Sequence, residues 1–231
     1  MKQARIIVPN SLAEITLGQY QEYLKATDGL DQEKDAETIN HKAIEHFCQT
    51  DYQSTLHIPV SEYNRILEII GKAFSVKPQF IQTFKMYDLE YGFIPKMDSM
   101  TLGEYVDLES SFGNWDKMHQ AMAVLYRPIA KKVKDKYGVI PYSADEDVME
   151  LMKDMPLDVA MGSTVFFYSL GKDLSKATLN YLQRVMKRKD IQEPLKKALE
   201  KNGDGISQFT DSLKETYEGL MKSPAFHYTS V

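Results

Sequence analysis

Two stretches of the chain, 85 residues apart, spell nearly the same helix start: Thr16-Leu17-Gly18-Gln19-Tyr20 and Thr101-Leu102-Gly103-Glu104-Tyr105. A threonine followed three residues later by Gln or Glu is a capping box, in which side chain and backbone satisfy two orphan amides of the first helical turn reciprocally. Each copy follows an Ile-containing stretch that ends at a proline, Pro9 or Pro95. In the first, residues 4–8 include the β-branched run Ile6-Ile7-Val8, which favours a strand that the proline then stops. Identity at Thr, Leu, Gly and Tyr fits an internal duplication, and convergence on a good helix start fits it too. Either way, two strand–loop–helix units can pair their strands in one small sheet, each covered by the helix that follows it.

With 231 residues, 43% hydrophobic and 26% charged, the chain can bury a sizeable core as one large or two small domains. Disorder and collagen-like structure are excluded by the same figures. Cys48 is the only cysteine, so no internal disulfide can form and a reducing, intracellular place of synthesis is expected. Residues 1–10 show no signal-peptide pattern. The most apolar run, residues 155–170, contains Asp158 and falls short of the ~20 residues that span a bilayer. It is expected to be a buried helix.

Periodicity fills in the rest. Helical spacing runs through Ile39, Ala43, Ile44 and Phe47, and through Tyr63, Ile66, Leu67, Ile70, Ala73 and Phe74 after Pro59 and Ser61. Residues 79–95, rich in aromatic and β-branched side chains around Asp88-Leu89-Glu90, predict a β-hairpin. Asn114 is an N-cap for a helix over 115–127 with Trp115, Met118, Met122, Leu125 and Tyr126 on its stripe, and Pro128 marks a kink. Residues 129–137 carry four lysines and predict an exposed helix. Pro156 opens a helix over 157–170 that Gly171 ends, and Leu174, Leu179, Leu182 and Val185 continue as another to about 187. After a helix over 194–201 and the break Asn202-Gly203-Asp204-Gly205, a last amphipathic helix carries Ile206, Phe209, Leu213, Tyr217, Leu220 and Met221 on one side.

The expected fold is therefore α+β and predominantly helical, with a small antiparallel or mixed sheet packed on a helical body. Residues 1–112 hold the strand–helix units and the hairpin, 113–231 the helical region, in one continuous compact body. Charge divides along the same line: residues 1–115 carry 10 basic and 17 acidic side chains, and 116–231 carry 18 and 16. Such asymmetry suits head-to-tail association or an acidic partner for the second half, and differently solvated faces explain it as well.

Residue patterns for chemistry are sparse. His41, Glu45, His46 and Cys48 cluster, but His41 and His46 are five apart instead of the four that share a helix face, so no metal site is expected. Glu200, Asn202, Asp204, Gly205 and Asp211 sit at EF-hand-like positions, with Glu where Asp is usual and Asp where a bidentate Glu is usual; a glycine-rich C-cap turn accounts for the same residues. No phosphate-cradling loop and no Gly-x-Ser-x-Gly elbow is present. Asp145, Glu146, Asp147 and Glu150 fit a solvated loop and first helical turn. Arg184, Lys187, Arg188, Lys189, Lys196, Lys197 and Lys201, near Tyr181, form a basic segment that would serve a nucleic-acid-binding regulator. The 12 methionines and 25 aromatics suit adaptable packing surfaces as well as core filling.

Three segments carry a family resemblance. Met100-Thr101-Leu102-Gly103-Glu104-Tyr105-Val106-Asp107-Leu108-Glu109, then residues 114–128 ending Ala123-Val124-Leu125-Tyr126-Arg127-Pro128, then Met155-Pro156-Leu157-Asp158-Val159 and on to Leu170, resemble proteins of the tail-gene modules of tailed bacteriophages. The similarity covers about residues 80–188 and lies in the pattern of the segments. It implies a tail-assembly chaperone or a baseplate-hub or other minor tail component, without catalysis or cofactor, in the host cytoplasm or the virion tail. The implied partners are other tail proteins, of tape-measure or hub type, with an oligomer compatible; neither nucleic acid nor membrane is implied. The expected partner-binding residues are Trp115, Met118, Met122 and Tyr126 with Phe209, Leu213, Tyr217 and Leu220.

Overall fold

A computed structural model describes residues 6–187 and 193–221, with Pro224 and Phe226. Its first helices are α1 (Leu17–Ala26), α2 (Ala36–Phe47), the single turn α3 (Tyr52–Thr55) and α4 (Val60–Ser75). Strands β1 (Thr83–Met86) and β2 (Leu89–Phe93) follow, then α5 (Leu102–Ser111), α6 (Met118–Leu125), β3 (Tyr126–Val133) and β4 (Lys136–Val139). Short α7 (Glu146–Leu151) leads into two long helices, α8 (Leu157–Met186) and α9 (Glu193–Leu220). The fold is α+β and predominantly helical, with one small antiparallel sheet.

Both capping boxes form. The Thr16 hydroxyl accepts from the Gln19 amide (3.1 Å) while the Gln19 side chain accepts from the Thr16 amide (2.7 Å). Thr101 and Glu104 repeat the exchange at 3.3 and 2.6 Å. The repeat is also larger than the two copies legible in the sequence. A 3-10 turn, one extended apolar residue, an N-cap and a leucine recur three times: Leu12–Glu14 with Ile15, Thr16 and Leu17; Met97–Ser99 with Met100, Thr101 and Leu102; Met152–Asp154 with Met155, Pro156 and Leu157. The first and third copies clasp each other. The Leu17 amide donates to Met155 O and the Leu157 amide to Ile15 O, both at 2.9 Å, which buries Ile15 and Met155 completely.

That clasp replaces the expected N-terminal strand. Of residues 4–8, Ala4 and Arg5 lie outside the described residues, and Ile6, Ile7 and Val8 join no strand. The two units meet at their helix starts, through one antiparallel bridge between Thr16 and Pro156.

The sheet runs β1-β2-β3-β4, antiparallel throughout. The β1–β2 hairpin turns on Tyr87 and Asp88, both at positive φ (50° and 61°), the two-residue geometry that matches strand twist. Strands β3 and β4 correct two expectations. The helix over 115–127 stops at Leu125, and the lysine-rich stretch 129–137 belongs to a second hairpin. Pro128 disfavours helical backbone at Arg127, and alternate side chains then suit a pleated surface. One sheet face, with Phe84, Tyr91, Phe93 and Tyr126, packs into the core; Phe93 and Tyr126 meet edge-on at 5.3 Å between ring centroids. The same core takes in α1, α2, α4, α6 and the first turns of α8, which contribute Tyr20, Ile44, Leu67, Ile70, Met118, Met122 and Leu157, all essentially inaccessible.

Helices α8 and α9 correct two more boundaries. Gly171 does not end a helix, and 202–205 do not break one. Gly171 instead lets α9 approach: a Cβ there would lie 2.5 Å from a Leu213 methyl. The pair forms an antiparallel hairpin, with Tyr168 stacked on Tyr217 (4.0 Å) and Gly203 opposite Leu179. Its seam alternates three- and four-residue steps, through Tyr168, Gly171, Ser175, Thr178 and Leu182 on α8, and Gly203, Ile206, Thr210, Leu213, Tyr217 and Leu220 on α9. Only the start of α8 is buried in the body; its distal half and the first part of α9 project from it, while the last turn of α9 returns to the core through Leu220. At the far end of α9 the Trp115 indole N–H donates to Leu220 O (2.9 Å) and ties the hairpin back.

Candidate functional site

The expected partner-binding stripe turns inward. Met118 and Met122 are completely buried, Tyr126 is buried with its hydroxyl donating to Ile81 O (2.6 Å), and Leu220 is buried beneath the Trp115 contact. Trp115 is half-buried, edge-on against Tyr20 at 4.9 Å. Leu213 and Tyr217 are half-buried in the α8–α9 seam, and the side chain of Phe209 lies outside the described residues. Both stripes are apolar faces. The chain itself consumes them, because an amphipathic face is buried by whichever helix of the same molecule can reach it.

Among the described residues, the apolar side chains left uncovered include Leu102, Tyr105 and Val106 on α5 and a second stripe on α8. Leu170, Leu174 and Tyr181 are 43%, 66% and 65% exposed, and with Ala177 they step along one line of the helix. Each stands one residue before a seam position, about 100° around the helix from it. Beside this stripe a groove of about 520 Å³ opens between the helices, walled by Leu174, Ser175, Thr178, Asn202, Gly205 and Ile206. The stripe exists because α8 continues through Gly171, where the expected helix end would have divided it between two helices.

A second concavity, of about 550 Å³, lies on the sheet face away from the core, between β4 and the start of α5. Its centre is an ion pair, Arg127 Nη2 to Glu104 Oε1 at 2.8 Å, with both side chains nearly buried. Arg127 also donates to Val124 O (3.2 Å) and Ile140 O (3.4 Å) and faces the Tyr142 ring. Burial raises the Glu104 carboxyl, but the Thr101 hydrogen bonds and Arg127 outweigh it and leave it below the ordinary range. Burial and the hydrogen bond it donates to Asp107 (2.8 Å) push the Tyr142 phenol up. Tyr137 lies flat over Gly92, where any Cβ would collide with its ring, and donates to Phe93 O (2.7 Å). These groups satisfy one another, the arrangement of a structural network.

A third cluster surrounds His119, buried where α1, α6 and α7 meet. Gln21 Nε2 donates to His119 Nδ1 (3.1 Å) and to Trp115 O (2.6 Å); His119 Nε2 faces Glu150 (3.3 Å), which Lys153 also pairs at 2.6 Å. Burial and the Lys153 charge hold the imidazole below its ordinary pKa, outweighing Glu150.

The metal-like sets behave as follows. His41 packs among the rings of Tyr52 and Tyr63, Glu45 pairs with Lys42 (2.7 Å), and burial pushes the Cys48 thiol up to about 12. Among the described residues no group of three His, Cys, Asp or Glu side chains could hold a metal. Glu200, Asn202, Asp204, Gly205 and Asp211 lie within continuous α9, so the EF-hand-like loop does not exist. Asp145 caps α7 through the Asp147 amide (3.0 Å). In the basic segment Arg184, Lys187, Lys197 and Lys201 are exposed; Arg188, Lys189 and the Lys196 side chain lie outside the described residues. No described helix is long and apolar enough to cross a membrane.

No protein-family model, no curated protein and no solved structure matches the chain.

Proposed function

We propose that the protein acts without catalysis, by binding another protein of a bacteriophage tail module, of tape-measure or baseplate-hub type, as an assembly chaperone or a minor tail component. The observation that carries this reading is the line Leu170, Leu174, Ala177 and Tyr181 on the projecting α8–α9 hairpin. Apolar side chains in register along a helix are the standard docking surface for a second amphipathic helix, and the groove beside them adds depth. The resemblance of residues 80–188 to tail-module proteins supplies the kind of partner.

Co-expression with the neighbouring tail genes, followed by purification, tests it: a tail protein is expected to co-purify, and failure to capture any, with absence from purified virions, overturns it. Mass spectrometry of virions separates the two versions, since a component persists at fixed copy number and a chaperone does not.

The exposed Arg184, Lys187, Lys197 and Lys201 beside exposed Tyr181 favour a second reading, a nucleic-acid-binding regulator. It requires DNA or RNA affinity that falls steeply with salt, and no binding at about 50 mM salt removes it.

A further inference from the structure

Of the three copies of the repeated helix start, two are paired with each other and one is not. In the clasp, Leu17 N–H donates to Met155 O and Leu157 N–H to Ile15 O, an exchange related by a local twofold axis through the Thr16–Pro156 bridge. The capping box prepares it: the Thr16 amide is turned onto the Gln19 side chain, which leaves the Leu17 amide and the Ile15 carbonyl for the partner. Met100, Thr101 and Leu102 have the same backbone. Met100 (φ −63°, ψ 134°) and Thr101 (φ −72°, ψ 162°) are extended like Met155 and Thr16, and Glu104 takes the Thr101 amide in the same way. Among the described residues, however, the Leu102 amide and the Met100 carbonyl join no backbone hydrogen bond, and Thr101, Leu102 and Gly103 are exposed.

The side chains differ in the same sense. Leu17 and Leu157 are completely buried, as are Tyr20 and Ala160 three residues further on. At the matching places of the second copy Leu102 is 77% and Tyr105 53% exposed, with Val106 beside them at 51%. Gly18 shows what the glycine does in a clasp. A Cβ there would lie 3.1 Å from Lys153 Cβ and 3.2 Å from Lys153 O, so its absence lets the opposing 3-10 turn close on the helix start. Gly103 is the same residue at the same position, with nothing within 4 Å of its Cβ direction. A glycine weakens a helix relative to alanine, and among the described residues nothing approaches Gly103 to require it. The residue corresponding to Lys153 in the second copy is Asp98, an exposed acid of its 3-10 turn. Across a like clasp that carboxylate would lie against the first turn of an α5, where the helix dipole favours negative charge.

We infer that the second helix start pairs with the same segment of another copy of this chain. Leu102 N–H of each copy donates to Met100 O of the other, Thr101 stands opposite Thr101 on the twofold axis, and Leu102, Tyr105 and Val106 are covered. The molecule itself shows what covers this motif, namely another copy of the motif. Since the first and third copies are occupied with each other, the segment left to meet it in a second molecule is the same one. A contact that is its own partner closes as a twofold dimer and does not propagate. So small an interface belongs to the weak, reversible class. The inference is independent of the hairpin reading, and the failure of one leaves the other standing.

Sedimentation equilibrium of the full chain, from about 5 μM to about 1 mM as suits a weak interface, tests it on wild type, Leu102→Glu and Leu174→Glu/Tyr181→Glu. Wild type is expected to pass from monomer to dimer within that range, and the hairpin variant to follow it. Leu102→Glu changes a side chain that stands in solvent, so it is expected to melt like wild type and to dimerise at least about tenfold more weakly. A wild type that stays monomeric throughout, or a Leu102→Glu variant that dimerises as strongly as wild type, overturns the inference. Loss of the dimer in the hairpin variant alone assigns self-association to α8 and overturns it as well. Cross-linking checks the register. Residues opposite each other between flanking antiparallel hydrogen bonds have Cα atoms about 4.5 Å apart, within disulfide reach. Under mild oxidation Thr101→Cys is therefore expected to form covalent dimers at least about tenfold faster than Leu174→Cys; equal rates overturn the proposed pairing.

Discussion

Gly162 sets two opposed effects against each other. Alanine in a helix interior is favoured over glycine by about 1 kcal/mol, but here its Cβ would strike the Gln79 carbonyl, a backbone group that cannot rotate away. Overpacking of this kind costs about 1–3 kcal/mol, so Gly162→Ala is expected to destabilise on balance, as read from chemical denaturation. Glu104→Gln is expected to lose more, about 3 kcal/mol, because Arg127 would remain nearly buried without its counter-charge. His119 gives a pH dependence. Its folded pKa is lowered by burial and Lys153, so below about pH 6.5 the unfolded chain takes up a proton that the folded chain resists. Stability therefore falls as pH drops through that range, and in denaturant titrations His119→Gln is expected to flatten this step. At this scale the sequence disclosed Thr16 and Thr101 as caps because their partners lie three residues away. It did not disclose that Glu104 also holds Arg127, or that Gln21 meets His119, since those pairs depend on how helices and strands dock.

Among elements, those whose local pattern agrees with their packing were legible: α1, α2, α4, α5 and the β1–β2 hairpin. The β3–β4 hairpin was not. Its outer residues Lys131, Lys132, Lys134 and Lys136 are all exposed, and a solvated lysine run looks the same on a helix or a ribbon. The glycines of α8 and α9 misled for a different reason. Gly171 is small so that the two helices can approach, a tertiary demand that overrides its habit of ending helices, whereas a Cβ at Gly203 would meet Leu179 at an ordinary contact distance of 3.9 Å. Gly205 tests this directly, because a Cβ there meets nothing within 4 Å. Gly205→Ala is expected to stabilise the protein by about 0.5–1 kcal/mol in thermal melts. A loop at this position would give no such gain. The caps offer a matched pair: Thr16→Ala and Thr101→Ala are each expected to cost about 1 kcal/mol, and Thr16→Ala also disturbs the clasp that joins α1 to α8.

For the molecule as a whole, the division of labour differs from what the amphipathic stripes suggested. The stripe of α6 builds the body and that of α9 builds the hairpin, and the apolar surface that the described residues leave exposed includes the outer side of α8, across an expected break at Gly171, as well as Leu102, Tyr105 and Val106 on α5. The first half is acidic, while the distal end of α8 presents the basic side chains Arg184 and Lys187. The stripe carries the central claim, so the most direct test is capture of tail proteins by wild type and by a Leu174→Glu/Tyr181→Glu variant, co-expressed and purified side by side. Both side chains are about two-thirds exposed, so the variant is expected to melt like wild type and to lose tail-protein capture by about tenfold or more. Equal capture by the two, with melting unchanged, would contradict the assignment of binding to this face.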